Sequence, residues 1–300
     1  IHCLERKWGV FFPKGGTGAL VKALTNLFQE LGGTILLNAE VAAITTDGRA
    51  VSGIKTADGR QRFFDLVVSN ADVVHTYDKL LKNESTLTPT RRRLKGMAHG
   101  MSLFLIYFGT RKKYSNLLHH NIIFGSRYRE LLADVFERGR LADDFSLYLH
   151  APTRSDPSLA PSDCDAFYVL SPVPHLGKLS IDWQVEGPRY AAKILNYLEQ
   201  LYMPGLMASI LTQRIVTPAD FKRKLNAHHG SAFSLQPTLT QSAYFRVHNR
   251  DDKIRGLYFV GAGTHPGAGI PGVLSSAKAT AGIIMQDFAG AFVSAASAYT

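Results

Sequence analysis

Apolar side chains recur at helical spacing near the start of the chain. Four leucines step by four, three and four residues, which places them on one face of a helix: Leu20, Leu24, Leu27 and Leu31. The pattern predicts a helix from Ala19 that ends at the glycine pair 32–33. The β-rich run 34–44 follows it and predicts a strand.

Two Asp-Gly pairs, at 47–48 and 58–59, separate short β-rich segments that end in the apolar run 63–68. Asp-Gly between alternating segments is a strong hairpin signal, so we predict a small antiparallel meander. The polar residues 69–72 then supply capping side chains for another helix. Its predicted apolar face consists of Val73, Tyr77, Leu80 and Leu81.

The middle of the chain alternates between strand-like and helix-like patterns. Strands are predicted over 101–108, 145–149 and 167–173, and helices over 127–138 and 189–202. The Pro- and Ser-containing segment 151–164 is interpreted as a loop. This order favours an open sheet with helices packed on it.

The last patterned segment is a strand, a glycine-rich loop and a helix. The strand is predicted over 257–260, and the loop 261–272 holds five glycines and two prolines. We expect the helix to bury Val273, Ala277, Ala281, Ile284 and Phe288. Such a loop lets backbone N–H groups approach an anionic or electron-rich ligand, although a plain tight connection is the alternative. The G-x-G-x-x-G fingerprint is not met, because Pro266 holds the third glycine position.

Composition narrows the class of protein. With 45% hydrophobic and 19% charged residues, the 300-residue chain is typical of a globular protein of about two domains. The net charge of +10 favours phosphates of nucleic acid or anionic lipid, but we find no nucleic-acid reading module and expect a membrane surface instead. Two cysteines far apart in sequence fit a reducing compartment. The chain has no HExxH, and adjacent histidines point apart on regular elements, so no metal site is expected.

Several segments together carry a family resemblance. The sequence "GLYFVGAGTHPGAGIPGVLSSAKATA" resembles the C-terminal signature of bacterial-type phytoene desaturases, which are FAD-dependent carotenoid desaturases related to flavin amine oxidases. Five earlier segments match the same family in the same order: "ERKWGVFFPKGGTGALV", "SNADVVHTY", "DFSLYLHAP", "PHLGKLSIDWQVEGP" and "LNAHHGSAFSLQPTLTQSAYFRVHNRD". The resemblance covers about residues 4–289.

The resemblance implies an α/β (α+β) fold with two domains. Residues 1–76 and 250–290 would form an incomplete Rossmann-like FAD-binding domain with a β-meander. Residues 77–249 would form a mixed sheet-and-helix, membrane-associating substrate domain, followed by a tail at 291–300. Family members begin with a strand, G-x-G-x-x-G and a helix that bind the FAD pyrophosphate. This chain lacks that motif, so we expect an N-terminal half outside it.

The resemblance also implies site residues. The expected FAD-binding positions are Val41, near adenine, and Asn70, Ala71, Gly263, Thr264, Gly269, Ile270, Pro271, Gly272 and Val273. The expected substrate-lining positions are Phe104, Ile106, Phe108, Leu147, Phe233, Leu235 and Phe245, with ordinary core packing as the alternative. No catalytic base is assigned. His265 and Asp182 are candidates, each with a structural role as the alternative.

The implied activity is FAD-dependent desaturation of phytoene toward lycopene. Burying a polyene of roughly forty carbons from water would give roughly 32 kcal/mol, above the observed binding ceiling of about 18–21 kcal/mol. The substrate is therefore expected to come from lipid, with the enzyme bound peripherally at the cytoplasmic face of the membrane. The alternatives are a related carotenoid desaturase or isomerase with a different polyene, or an inactive, cofactor-free membrane-binding fragment. The oligomeric state is not predicted.

Overall fold

The structure is a computed structural model that describes residues 2–289, so the predicted tail 291–300 lies outside the described residues. Its helices are α1 (His2–Trp8), α2 (Gly16–Glu30), α3 (Val73–His75), α4 (Thr88–Gly96), α5 (Tyr128–Ala133), α6 (Trp183–Leu201), α7 (Leu206–Ser209), α8 (Pro218–Leu225) and α9 (Ile270–Asp287). Its strands are β1 (Val41–Thr46), β2 (Val51–Thr56), β3 (Gln61–Phe63), β4 (Val67–Ser69), β5 (Ser102–Thr110), β6 (His120–Ile123), β7 (Leu147–His150), β8 (Asp165–Val173), β9 (Ile210–Val216) and β10 (Leu257–Phe259). This mixed content confirms the predicted α/β (α+β) class.

The chain divides into two compact units. Among the described residues, the five-strand unit comprises 2–37 and 101–221, and the glycine-loop unit comprises 38–100 and 222–289. These boundaries differ from the predicted ones, because residues 1–37 cluster with the middle of the chain rather than with the meander. The predicted division of cofactor and substrate roles between domains stays a prediction.

The five-strand unit is built on an antiparallel sheet with the strand order β6-β7-β8-β5-β9. β5 pairs with β8 along its whole length, from Ser102 opposite Val173 to Thr110 opposite Asp165. Alternate side chains on β8 are buried, as expected for a sheet with one face in a core. The strands predicted over 101–108, 145–149 and 167–173 are confirmed with small shifts of their bounds.

Two helices of this unit differ from prediction. α6 begins at Trp183 instead of 189, because the Asp182 carboxylate accepts a hydrogen bond from Gln184 N at 2.9 Å and caps the helix earlier. The helix predicted over 127–138 is α5 followed by one π-helical turn, Asp134–Arg138.

The predicted N-terminal helix exists as α2, but its apolar face is not covered within the described chain. Leu24, Leu27 and Leu31 are 47%, 50% and 79% exposed. The strand predicted over 34–44 is also shorter than expected, since pairing begins only at Val41. Asn38 has a positive φ of 55°, which is incompatible with a continuous strand through this segment.

The glycine-loop unit contains the predicted meander. Strands β1, β2 and β3 form an antiparallel sheet, and Gly48 and Gly59 take φ of 87° in the two turns. The apolar run 63–68 is not one strand, because β3 ends at Phe63 and β4 joins a different, two-stranded parallel sheet with β10. The predicted face Val73, Tyr77, Leu80 and Leu81 is buried in the core of this unit.

Within residues 2–289, no helix combines the length and the apolar character that a bilayer crossing requires.

Candidate functional site

Two parallel strands of the glycine-loop unit end at the same edge. β4 and β10 pair from Val67 opposite Leu257 to Ser69 opposite Phe259, and Val260 N donates to Ser69 O at 3.0 Å. The segments that begin at Asn70 and Gly261 therefore leave the sheet side by side. In open α/β sheets, ligands bind at the carboxyl ends of parallel strands, so this edge is the candidate site.

The close approach of the two segments requires glycine. A Cβ on Gly261, whose φ is +100°, would lie 2.3 Å from Asn70 Oδ1. A Cβ on Gly263 would lie 2.8 Å from Val73 Cγ1. Neither position leaves room for a side chain. Asn70, the adjoining half-buried Ala71 and Gly263 are therefore brought together at this edge, as the sequence predicts.

Polar side chains fix helix α9 beneath the loop. Ser276 Oγ accepts from Gly261 N at 3.2 Å and is bonded to Thr264 Oγ1 at 3.0 Å. Thr280 Oγ1 donates to Phe259 O at 2.9 Å, and Asn249 Nδ2 donates to Ser276 Oγ at 3.1 Å and to Thr280 Oγ1 at 3.0 Å. We call these residues, Asn249, Thr264, Ser276 and Thr280, the polar network.

The polar network corrects the predicted inward face of α9. Ser276 and Thr280 are the buried residues of the helix, whereas the expected apolar set is exposed or half-buried: Val273, Ala277, Ala281, Ile284 and Phe288. The physical reason is that the backbone groups of the buried loop need partners, which apolar side chains cannot supply. Thr264 is fully buried within the network, so its side chain serves the loop itself.

Arg246 supports the loop from its other side, and the sequence reasoning missed it. Its guanidinium, 3% exposed, donates to Thr264 O at 2.9 Å, to Leu235 O at 3.5 Å and to Ala262 O. Burial lowers the pKa of Arg246 below its ordinary value. A single arginine in an irregular segment carries no spacing signal, so only the fold reveals this role.

The N-terminus of α9 is open. Gly269, Ile270 and Pro271 are exposed, and a Cβ on Gly269 would meet no atom within 4 Å. Val273 N donates to Gly269 O at 2.8 Å, whereas N–H groups in the first turn of a helix have no intrahelical acceptor. Pro271 has no N–H, so this end of an 18-residue helix offers the N–H groups of Ile270 and Gly272 and the positive end of the helix dipole. Such an arrangement suits an electron-rich ligand edge.

Gly272 fixes the shape of this helix start. A Cβ there would lie 2.6 Å from Gly267 O, so only glycine lets the loop fold back over the first turn. The predicted positions Gly269 to Val273 thus form one continuous surface in the same unit as Asn70. Val41 lies at the first position of β1, opposite Thr56 and in a different sheet from β4 and β10. Its predicted contact with adenine stays a prediction.

A buried histidine in this unit was also missed. His99 forms an isolated antiparallel β-bridge with Leu235. The residue before Leu235, Ser234, adjoins the glycine loop, because its Oγ would lie 3.1 Å from a Cβ on Gly263. The imidazole donates to the backbone of Met97, while its buried Nε2 has no hydrogen-bond partner within residues 2–289. Burial lowers the pKa of His99, so the ring is neutral at pH 7 and its free nitrogen can accept a proton.

The two catalytic candidates from the sequence belong to different units. Asp182 belongs to the five-strand unit, and its carboxylate caps α6. Capping is a structural role, which the sequence analysis gives as the alternative to catalysis. His265 is exposed beside the glycine loop, and its backbone N donates to Val247 O at 3.0 Å while its carbonyl accepts from Asn249 Nδ2 at 3.0 Å. The backbone of His265 thus helps to hold the loop.

The expected substrate-lining residues are divided between the units. Four of them fill the core of the five-strand unit: Phe104, Ile106, Phe108 and Leu147. Leu235 is buried in the core of the glycine-loop unit, Phe233 is half-buried and Phe245 is 62% exposed. The buried members pack against other side chains of their own unit. Their contact with substrate stays a prediction.

Comparisons with known proteins agree with this geometry. Residues 4–285 match the model of the family described as flavin containing amine oxidoreductase. The chain is 54% identical over 96% of its length to the phytoene desaturase (lycopene-forming) of Pantoea ananas, and 56% identical over the same share to that of Pseudescherichia vulneris. It spans 58% of the length of each. An oxidoreductase from Methanosarcina mazei shares the fold with a TM-score of 0.60 and 17% identity, over 92% of this chain and 56% of that one.

Proposed function

Because this chain belongs to the family of flavin-containing amine oxidoreductases, we propose that it serves FAD-dependent desaturation of phytoene toward lycopene. The observation that carries the proposal is the open helix start Gly269–Val273 beside the ends of two parallel strands. The identity of 54–56% to lycopene-forming desaturases supports this choice of substrate.

The residues at this edge fit a flavin ring. The first turn of α9 offers free N–H donors toward an electron-rich ring edge, and no side chain at Gly269 obstructs it. Asn70 and Ala71 would border the ring on the side of β4, and Gly269 to Val273 would hold its other edge. The polar network and Arg246 keep these backbone groups in place before any ligand binds.

A bound flavin would supply the two-electron acceptor that protein side chains lack. The reaction removes a hydride from an allylic C–H and a proton from the neighbouring carbon, so the chain must place the polyene against the acceptor and receive the proton. His99 is our candidate to receive it, because its Nε2 is buried, neutral and unpartnered within the described chain. Loss of the proton from a polyene-stabilised cation without a base is the alternative.

We further propose that the protein takes its substrate from lipid at the cytoplasmic face of the cell membrane. Three large side chains of the five-strand unit support this: Trp8, Val10 and Phe11 are 57%, 74% and 83% exposed. Lys7 and Lys14 flank them, and basic side chains near an anionic surface contribute about 1 kcal/mol each. Apolar side chains between cations are typical of peripheral membrane contact.

The main experiment expresses the complete open reading frame that contains these residues in a bacterium that accumulates phytoene. We expect lycopene in the extracted pigments and FAD released from the purified, denatured protein. Gly272→Val should abolish both, because its side chain would clash with Gly267 O. Gly282→Ala is the matched control on the same helix, where a Cβ meets nothing within 4 Å, and it should retain both.

Each alternative has its own outcome. A different polyene product, or only a cis–trans change, would favour the related desaturase or isomerase. A colourless protein that releases no flavin and leaves phytoene unchanged would favour the cofactor-free membrane-binding fragment. Release of FMN instead of FAD would overturn the cofactor assignment alone.

A further inference from the structure

Three histidines meet at one edge of the five-strand sheet: the adjacent pair His119 and His120, and the distant His150. His120 on β6 is directly opposite His150 on β7, and His119 precedes β6, with its carbonyl accepting from Ala151 N at 2.9 Å. The ring centroids lie 4.3 Å apart for His119 and His120, 4.7 Å for His119 and His150, and 5.4 Å for His120 and His150. We propose that these three side chains form a binding site for a divalent late first-row transition metal ion, specifically Zn²⁺.

Adjacent residues within a strand point to opposite faces, and for this reason the sequence predicts no metal site. His119 lies just before β6, where the strand alternation does not apply, so its ring turns to the same side as that of His120. The third member, His150, is 30 residues further on and joins them only through the pairing of β6 with β7.

The spacing of the ligand atoms suits a tetrahedral ion. One nitrogen of each ring lies within 4.8 Å of one nitrogen from each of the others, and His119 Nε2 is 2.8 Å from His150 Nε2. With metal–nitrogen bonds of about 2.0–2.1 Å, tetrahedral ligand nitrogens are about 3.4 Å apart. This value lies between the 2.8 Å separation of His119 and His150 and the 4.8 Å upper limit for the group, so small rotations of the side chains reach it.

Hydrogen bonds already orient two of the rings. His119 Nδ1 is 2.6 Å from Ser155 Oγ, and His120 Nδ1 is 2.6 Å from Tyr148 OH. Each bond engages Nδ1, so Nε2 is the ligand atom, and a bound ion would replace the hydrogen bond between His119 Nε2 and His150 Nε2. Partners of this kind are the usual outer support of histidine ligands.

The protein does not satisfy all nitrogens of the cluster by itself. His150 is 8% exposed, and its Nδ1 has no hydrogen-bond partner within residues 2–289. Phe12 packs edge-on against His119 and His150, at centroid distances of 4.6 and 5.7 Å, and covers one side of the cluster. His120 is exposed, so an ion can enter from solvent and keep a water molecule as its fourth ligand.

The test is a calorimetric titration of the chain, purified without a histidine tag and stripped with EDTA, with ZnCl₂. We expect one Zn²⁺ per chain and a rise in melting temperature when the ion is bound. His120→Gln and His150→Gln should each weaken binding at least about tenfold. Tyr148→Phe removes the outer support of His120, together with a hydrogen bond to Tyr168, and should weaken binding about tenfold.

His248→Gln is the matched control, because His248 is an exposed histidine of the glycine-loop unit and lies outside the cluster. It should bind Zn²⁺ as the parent chain does. Absence of binding to the parent chain, or equal affinity in all variants, would overturn the proposal. If His150→Gln does not fold, the affinity of His120→Gln for Zn²⁺ still tests the proposal, because His120 is exposed and its substitution leaves the core unchanged. The outcome does not depend on the proposed redox function.

Discussion

The interiors of the two units are stabilised by different kinds of interaction. The core of the five-strand unit is made of aromatic and aliphatic side chains, with Phe104 packed 5.7 Å from Trp183 and 5.0 Å from Tyr190 between ring centroids. The candidate site of the glycine-loop unit is instead held by buried hydrogen bonds from Arg246 and the polar network. Apolar packing fixes a sheet, whereas buried polar groups fix the backbone of an irregular loop.

Removal of a core aromatic should have the largest effect on stability. We expect Phe104→Ala to lower the free energy of unfolding by about 4 kcal/mol, because it deletes a fully buried ring and leaves a cavity. The control Tyr107→Ala, on the other face of the same strand and 43% exposed, should cost about 1 kcal/mol. Chemical denaturation measures both. A cost near 1 kcal/mol for Phe104→Ala would show that the apolar core is not what holds this unit.

Loss of the polar network should be nearly as costly and should also remove the site. Asn249→Ala removes the buried amide that donates to Ser276 Oγ, to Thr280 Oγ1 and to the carbonyl of His265, so we expect a loss of about 3 kcal/mol. We also expect loss of bound flavin in the complete protein, which Phe104→Ala should retain. Asn116→Ala, which removes one exposed hydrogen bond to Tyr202 O, is the control and should change neither quantity.

The same contrast explains which parts could be predicted from sequence. Strands β5 and β8 follow from apolar patterns, because their side chains face a core that the chain itself supplies. The meander follows from Asp-Gly turns, whose φ of 87° at Gly48 and Gly59 is a local property. Local rules of this kind need no knowledge of the rest of the fold.

The interior of the site could not be predicted from such rules. Ser276 and Thr280 face inward because the loop backbone lies above them, and a hydrophobic pattern ranks them as surface residues. The role of Arg246 depends on three carbonyls that are 11, 16 and 18 residues away. Family resemblance supplied Asn70 and Gly269, which lie in the same unit, but it did not supply the residues that hold the loop.

Each unit also holds a histidine cluster that should make it sensitive to acid. The cluster of the five-strand unit is the one described above, and that of the glycine-loop unit consists of His99, His228 and His229. Burial is the largest cause that lowers the pKa of His150 and of His228 to about 4. Between pH 6.5 and pH 4 the unfolded chain therefore binds protons that the folded chain does not, and stability falls as the pH falls through this window. We expect His150→Gln and His228→Gln each to recover about 1 kcal/mol of this loss.

The measurement is the free energy of unfolding of the EDTA-treated chain at several pH values. His248→Gln, at an exposed position, should leave the slope against pH unchanged. A parent chain whose stability does not change between pH 6.5 and pH 4 would contradict the lowered pKa values of His150 and His228.

The smallest effect is expected where the apolar pattern is strong but nothing covers it. Leu27 belongs to the amphipathic face of α2 and is 50% exposed, so Leu27→Ser should lower the free energy of unfolding by no more than about 0.5 kcal/mol. Leu149→Ser, at a fully buried position of the same unit, should cost several times more. Equal costs would mean that α2 is covered in solution. An amphipathic pattern therefore predicts the helix itself, and the partner of its apolar face must be established separately.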